Sequence, residues 1–375
     1  MVWIMLAITM VCVVIVFAIV MAQKEKGTLV KQARAVTKDM VYENAYIVSN
    51  DDGRLIFICD GELYRAKGTM EESFTGVCDI EISGSKVKKI QIKPDDISGV
   101  MLSYGDGTMQ IAGQGDIPMQ SSELPVYDET GTSPKEIAVS DLIIGSETLS
   151  YILDSGRICA IVRRQAPDLT YIRVLIKNDG KDAFPTTAAA NLYVDDADCG
   201  SNAIDDVGAY MENAQKSRIK VSSADNYVSI NGKSYPGSFE FIGTEEGIVA
   251  VNTVDVETYV RYVLAAEMPS TFDAEALKAQ AVCARTFVYS QMKNTQYALY
   301  GANIDNTTAF QVYNASETKQ STDEAVKATA GQVVSCGGSL ITCYYFSTSA
   351  GKTEDMEVWS SSTPDFIHKV ESVDD

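Results

Sequence analysis

The sequence has 375 residues, 46% of them hydrophobic and 22% charged, which is typical of a globular protein with more than one domain. Its 31 basic and 51 acidic residues give a formal net charge of −20, which argues against nucleic-acid binding because DNA and RNA would be repelled. The single histidine, His368, argues against Ser–His–Asp, Cys–His and multi-histidine zinc catalysis, so any chemistry should depend on carboxylates, hydroxyls, amides or a thiol.

The chain opens with an uncharged apolar run over residues 1–22, which is long enough to cross a bilayer at ~1.5 Å per residue. A cleavable signal would have a basic start and a shorter apolar stretch, so the run predicts an uncleaved transmembrane anchor, followed by a linker over residues 23–35. Basic residues after the run favour a cytoplasmic flank under the positive-inside rule, although that rule is weaker ahead of a large domain.

Residues 36–215 predict a β-rich accessory region. Short apolar or alternating runs such as Leu55–Cys59 and Tyr171–Ile176 are separated by turn sequences, including Asn178-Asp179-Gly180. No catalytic constellation stands out here, so we interpret the region as an accessory or spacer domain.

The sequence changes character at about residue 216, where a second domain, residues 216–375, is predicted. Asn231-Gly232 between two apolar runs predicts a tight hairpin. A first helix is predicted from about Val256 to Glu267, because Pro269 prevents its continuation. A second is predicted over about Asp273–Met292, rich in good helix formers and capped by its first residue.

Glu267 is the candidate catalytic carboxylate. It lies on the apolar stripe of the first helix, whereas Glu257 should lie on the solvated side. Burial disfavours a charged carboxylate and raises its pKa, as a general acid requires. The alternative is a structural ion pair between Glu267 and Lys278 or Arg285, which are seven residues apart and share a face of the second helix.

The eight cysteines are scattered and do not form a disulfide framework of the small secreted kind. We interpret them as free and mostly buried thiols. Cys336 and Cys343 flank a Gly-Gly turn, so they could alternatively be cross-strand neighbours in a hairpin.

Several motifs together resemble the SpoIID/LytB family, which includes stage II sporulation protein D and the amidase enhancers. They are Glu267-Met268-Pro269, Glu275–Val282, Ala284-Arg285-Thr286, Gln311-Val312-Tyr313, Ala325–Gly331 and Tyr344–Thr353. The resemblance covers roughly the last two-fifths of the chain. The chain stops inside the family pattern, so we expect the domain to be incomplete at its C-terminal end.

The resemblance implies a peptidoglycan lytic transglycosylase that acts on denuded glycan strands, with Glu267 as general acid and base. One carboxylate is consistent with a lytic reaction, since glycoside hydrolases usually need two. The alternative is a non-catalytic glycan-binding module that stimulates a wall amidase. The expected partners are therefore peptidoglycan glycan strands and, further, a wall amidase or other sporulation wall proteins.

The resemblance also implies a polar substrate groove. Its implied members are Lys278, Gln280, Arg285, Gln311, Ser347, Ser349 and Thr353. Each could instead make a structural hydrogen bond, and for Gln280 and Arg285 we favour that alternative.

Two departures from the family pattern affect these expectations. Phe346 and Ala350 stand where family members often have histidine and glycine. The stretch 306–310 lacks the Cys and His ligands that some clostridial relatives use for zinc, so we predict no metal and no cofactor.

Taken together, the predicted fold class is α+β, with an N-terminal transmembrane helix, a β-rich accessory region and a mixed α/β SpoIID-like domain. The predicted location is the cell membrane, single-pass, with the domains extracytoplasmic, because the implied substrate is found only there.

Overall fold

The computed structural model describes residues 32–371, with gaps at 52, 69, 71–73, 95–96, 185–188, 191–192, 195–196, 199–202, 205, 315–316, 347, 356–363 and 365. The chain divides into two compact units. The N-terminal unit comprises the chain up to Leu142 together with Glu147–Pro167, and the C-terminal unit comprises Ile143–Ser146 and the chain from Asp168 onward.

The N-terminal unit is built from short strands. In chain order they are β1 (Arg34–Ala35), β2 (Met40–Asp51), β3 (Arg54–Cys59), β4 (Glu62–Lys67), β5 (Gly76–Ser83), β6 (Lys86–Ile92), β7 (Ile97–Gly105), β8 (Thr108–Ile111), β9 (Gly115–Pro118), β10 (Val126–Asp128), β11 (Lys135–Ile137), β12 (Thr148–Asp154) and β13 (Arg157–Arg163). They form one sheet in the order β1-β4-β3-β2-β5-β6 and a second in the order β11-β10-β13-β12-β7-β8-β9. In β5, Cys78, Ile80 and Ile82 alternate with more exposed residues and are buried, as the two-residue period of a strand requires.

The C-terminal unit combines sheets with four helices among the described residues. Its strands are β14 (Tyr171–Leu175), β15 (Ala183–Phe184), β16 (Ala189–Ala190), β17 (Tyr193–Val194), β18 (Ala197–Asp198), β19 (Ala203–Ile204), β20 (Arg218–Ser222), β21 (Tyr227–Ile230), β22 (Lys233–Pro236), β23 (Ser238–Thr244), β24 (Gly247–Asp255), β25 (Ile304–Asp305), β26 (Ser335–Cys336) and β27 (Ser339–Leu340). Its helices are α1 (Val207–Asn213), α2 (Val256–Glu267), α3 (Ala274–Ser290) and α4 (Gln320–Ala328).

The largest sheet of this unit has the order β18-β17-β20-β23-β24-β14-β25, and β15 also pairs with β24. Strand β14 is therefore internal: it runs antiparallel to β24 and parallel to β25. The position of β14 differs from the prediction, which placed the domain boundary at residues 215/216. The strand from Tyr171 was assigned to the accessory region, whereas the units divide between Pro167 and Asp168.

Helices α2, α3 and α4 pack against one another and against the sheet. The predicted apolar stripe of α2 is confirmed: Val256, Val260, Val263 and Leu264 are all buried in the core. The hairpin prediction is also confirmed, because β21 and β22 flank Asn231-Gly232, whose positive φ angles of 48° and 79° suit a tight two-residue turn.

The prediction of an N-terminal transmembrane helix in a single-pass membrane protein needs correction. Residues 1–22, on which it depended, lie outside the described residues. Within the described part of the chain, no helix is long and apolar enough to cross a membrane. The longest described helix, α3, has 17 residues and so measures about 25 Å, shorter than a bilayer core. The fold class is corrected to a strand-rich protein with short helices.

A buried ion pair with two arginines and one glutamate lies in the large sheet of the C-terminal unit. Arg173 on β14 donates to both carboxylate oxygens of Glu240 on β23, at 3.0 and 2.9 Å, and Arg218 donates to the same carboxylate at 2.6 Å. Burial acts to raise the pKa of Glu240, but the two guanidinium groups outweigh burial and lower it from 4.5 to about 2. The folded state therefore holds this carboxylate in its charged form.

We expect Glu240→Gln to destabilise the protein at neutral pH, because the buried Arg173 and the half-buried Arg218 lose their counter-ion. The folded pKa is depressed, so the stabilisation by Glu240 is present above pH about 4.5 and is lost as the pH falls toward about 2. The free energies of unfolding of the wild type and of Glu240→Gln, measured by denaturation across this range, should converge below pH about 4.5. A difference in the free energy of unfolding that stays constant down to pH about 3 would contradict the lowered pKa of Glu240.

Candidate active site

Glu267 is the last residue of α2, and local signals explain why the helix ends there. Asp255 caps the helix by accepting a hydrogen bond from the Thr258 N–H at 2.9 Å. At the other end Met268 leaves the helical conformation, with φ −135° and ψ 131°, because proline follows it. The carboxyl group of Glu267 is therefore presented at a helix terminus, beside the loop that leads to α3.

The Glu267 carboxylate is half-buried and is held by one backbone donor. Its Oε1 accepts a hydrogen bond from the Val312 N–H at 2.8 Å. Among the described residues, no donor bonds its other oxygen, Oε2. One carboxylate oxygen is thus fixed by the backbone at Val312.

The alternative that Glu267 forms a structural ion pair is wrong for both proposed cations. Lys278 pairs instead with Glu275, one turn away on the same helix, at 2.7 Å. Arg285 pairs with Glu257 through two hydrogen bonds, from Nε at 2.8 Å and from Nη2 at 2.7 Å. Within the described part of the chain, no basic side chain pairs with Glu267.

Arg285 has a structural role rather than a place in a groove. Its side chain is fully buried, and besides Glu257 it donates to the carbonyl oxygens of Gln332 at 3.1 Å and Val326 at 3.3 Å. Glu257 was predicted to lie on the solvated side of the helix, but it also makes structural contacts. Its side chain is only 38% exposed, and it joins α2 to Arg285 and to the Gly331 N–H.

Gln311 is also buried, beside the residue that holds Glu267. Its Nε2 donates to the Ala284 carbonyl at 3.4 Å and to the Tyr345 hydroxyl at 3.3 Å. Its Oε1 is buried and has no hydrogen-bond partner among the described residues. Gln311 therefore supports the site through its buried contacts with Ala284 and Tyr345, rather than by lining an open groove.

Two tyrosines that sequence reasoning did not select lie near the Glu267 charge. Burial raises the pKa of Tyr345 to about 12; the hydrogen bond from Gln311 opposes this and the charge of Glu267 adds to it. Burial raises the pKa of Tyr259 well above its usual range, and Tyr345 and Glu267 contribute further. Both hydroxyls therefore stay protonated at neutral pH.

The Gln311-Val312-Tyr313 segment is anchored by its tyrosine. Tyr313 is buried, its ring lies 4.9 Å from that of Tyr259, and its hydroxyl donates to Oδ1 of Asn252 at 2.8 Å. Asn252 in turn donates to the carbonyl oxygens of Pro236 and Ser238. This network fixes the backbone from which Val312 contacts Glu267, and the only sequence signal for it was the Gln-Val-Tyr motif.

The remaining candidates lie on α3 and near the C-terminal end of the described residues. Lys278 and Gln280 are half-buried on α3, and Ser349 is half-buried in the last segment. Thr353 exchanges hydrogen bonds with Val370, at 2.9 and 2.8 Å, so its hydroxyl has a structural partner. Ser347 lies outside the described residues. No group of three or more His, Cys, Asp or Glu side chains in the described ranges could hold a metal ion.

The C-terminal unit is thus a mixed α/β unit. Its candidate site is a carboxylate at a helix end that is held by a backbone N–H and flanked by protonated tyrosines. Residues 244–335 match the model of the SpoIID family, described as stage II sporulation protein. This range contains Glu267, Arg285 and Gln311, whereas Tyr345 and Thr353 lie beyond it. The predicted resemblance is confirmed, and the chain carries SpoIID-family sequence over these residues.

Curated relatives match about two-fifths of the chain or less. The amidase enhancer of Bacillus subtilis (strain 168) is 42% identical over 155 residues, which is 40% of this chain and 21% of that protein. Stage II sporulation protein D of the same strain is 38% identical over 138 residues, 33% of this chain and 40% of that protein. An uncharacterized protein of Brachyspira hyodysenteriae is 35% identical over 156 residues, 41% of this chain and 40% of that protein. The chain thus spans less than half the length of each.

Proposed function

We propose that the C-terminal unit acts on the bacterial cell wall in sporulation or wall remodelling, as a lytic transglycosylase of denuded peptidoglycan glycan strands. The family match and the names of the relatives support the wall and sporulation part of this proposal. The cleavage reaction rests on the geometry of Glu267.

In the proposed reaction Glu267 first protonates the glycosidic oxygen that leaves the muramic acid C1. The 6-hydroxyl of the same sugar attacks C1 and closes a 1,6-anhydro ring. The Glu267 carboxylate, now deprotonated, accepts the proton of that hydroxyl and returns to its starting state. No water is consumed, so a single carboxylate is sufficient.

The observation that carries the proposal is the state of the Glu267 side chain. Oε1 accepts the Val312 N–H, and among the described residues no basic side chain pairs with the carboxylate and no donor bonds Oε2. Arg285 and Gln311, which the family resemblance suggested as substrate ligands, instead support the frame around the acid. Lys278, Gln280 and Ser349 stay proposed substrate contacts.

Purified denuded glycan strands provide the test. We expect the protein to release fragments with anhydro ends, about 18 Da lighter than hydrolytic fragments because no water is added. Mass spectrometry of the digest distinguishes the two. Hydrolytic ends would contradict the lytic mechanism, and intact strands would contradict enzymatic activity.

A second candidate function follows from the 42% identity to a protein named amidase enhancer. In this case the unit binds glycan without cleaving it and stimulates a wall amidase. Adding the protein to a wall amidase should then increase the release of stem peptides. The same stimulation by Glu267→Gln would favour this function, because the amide cannot transfer the catalytic proton.

A further inference from the structure

Cys283 and Cys343 lie side by side in the C-terminal unit, although they are far apart in the sequence. Cys283 is on α3, and Cys343 follows the β26–β27 hairpin. Both line one cavity of about 450 Å³, and their thiols are close enough to share a hydrogen bond. The predicted cross-strand neighbour of Cys343 was Cys336, which instead pairs with Ser339 and is exposed.

Besides the contact between the two cysteines, further contacts join α3 to the segment around Cys343. The Thr286 hydroxyl, one turn after Cys283, accepts a hydrogen bond from the Val334 N–H at 2.9 Å and also contacts the Cys343 thiol. Two residues beyond Cys343, Tyr345 accepts a hydrogen bond from Gln311, which itself bonds the Ala284 carbonyl. The segment is thus held on α3 by non-covalent contacts on both sides of Cys343.

We propose that Cys283 and Cys343 form a modification site, a dithiol that low-molecular-mass disulfides convert into an intramolecular disulfide fastening the Cys343–Tyr345 segment to α3. Both cysteines line the cavity and are half-buried rather than enclosed, so a small disulfide can approach them. The chemistry does not depend on whether the unit cleaves glycan.

The exchange proceeds in two steps. One cysteine loses its proton, and the thiolate attacks a sulfur of the external disulfide, releasing one external thiolate and leaving a mixed disulfide. The second cysteine, also as thiolate, attacks the protein sulfur of that mixed disulfide and releases the second external thiolate. The two protons end on the two released thiols, and the two cysteines are oxidised as the external disulfide is reduced.

Burial sets the rate of this exchange. It raises the pKa of Cys283 to about 11, with Cys343 adding to the effect, and it raises the pKa of Cys343 as well. Because only the thiolate attacks, oxidation should be slow at neutral pH and should accelerate as the pH rises.

In the test, the reduced 375-residue chain is treated with oxidised glutathione, residual thiols are blocked, and disulfides are mapped by mass spectrometry without reduction. Trypsin alone leaves Cys336 and Cys343 in one peptide, residues 328–352, so chymotrypsin is added to cut after Leu340 and Tyr344. We expect residues 279–285 linked to 341–344, about 2 Da lighter than the two reduced peptides together.

Three single variants make the result specific. Cys283→Ser and Cys343→Ser should each abolish the link, whereas Cys336→Ser should leave it unchanged. Oxidation should also raise the melting temperature by several degrees, but not in Cys343→Ser. A Cys336–Cys343 link, glutathione adducts alone, or an unchanged melting temperature after linkage would each overturn the proposal.

Discussion

Glu267→Gln should reduce glycan cleavage by roughly 10²–10⁴-fold while leaving the fold and glycan binding intact. The amide has nearly the size of the carboxylate, and its Oε1 can still accept the Val312 N–H that now lies at 2.8 Å. It cannot donate and recover the proton that the leaving oxygen requires. Product release from denuded glycan and the melting temperature should be measured on the same preparation.

A matched control is Glu317→Gln, which makes the same chemical change at a side chain that is 89% exposed. It should change neither activity nor melting temperature, because exposed charges contribute little. Two outcomes would reject the catalytic assignment: full activity in Glu267→Gln, or a large decrease in its melting temperature with activity lost in parallel.

Glu257→Gln should destabilise the protein by about 3 kcal/mol, although Glu257 takes no part in the proposed reaction. The substitution leaves the fully buried guanidinium of Arg285 without a counter-ion. An amide can donate and accept, but it carries no charge to balance the buried cation. Calorimetry of the 375-residue chain should show the unfolding transition of the variant at a clearly lower temperature.

The Arg261–Asp323 pair provides the comparison. It joins α2 to α4 through the same two-bond geometry, at 3.0 and 2.7 Å, but its side chains are 38% and 32% exposed. Asp323→Asn should therefore cost less than about 1 kcal/mol. Equal losses in the two variants would mean that burial of Arg285 does not determine the strength of its pair.

The sequence was sufficient to predict the two helices around the site, because their limits depend on local signals. Asp273 caps α3 as predicted, by accepting from the Glu275 N–H at 2.8 Å, and Pro269 ends α2. The apolar spacing along α2 also identified the buried face correctly. These features involve residues within one or two turns of each other, so no tertiary information is needed.

Features that depend on distant segments could not be predicted in this way. Glu257 lies off the apolar stripe of α2, and nothing in its own helix indicates that Arg285 packs against it. The backbone donor to Glu267 comes from Val312, 45 residues away in the sequence. Strands such as β16 and β17 have two residues each, too short for any alternation to be recognised.

The internal position of β14 has a consequence for the order of folding. This strand is made early, but its partners, Val251–Asp255 on one side and Ile304–Asp305 on the other, are synthesised much later. During translation both edges of the strand stay unpaired until its partners are synthesised, and unpaired edges promote association with other chains. Closing such long loops is slow, so assembly of the sheet around β14 should limit the folding rate of the C-terminal unit.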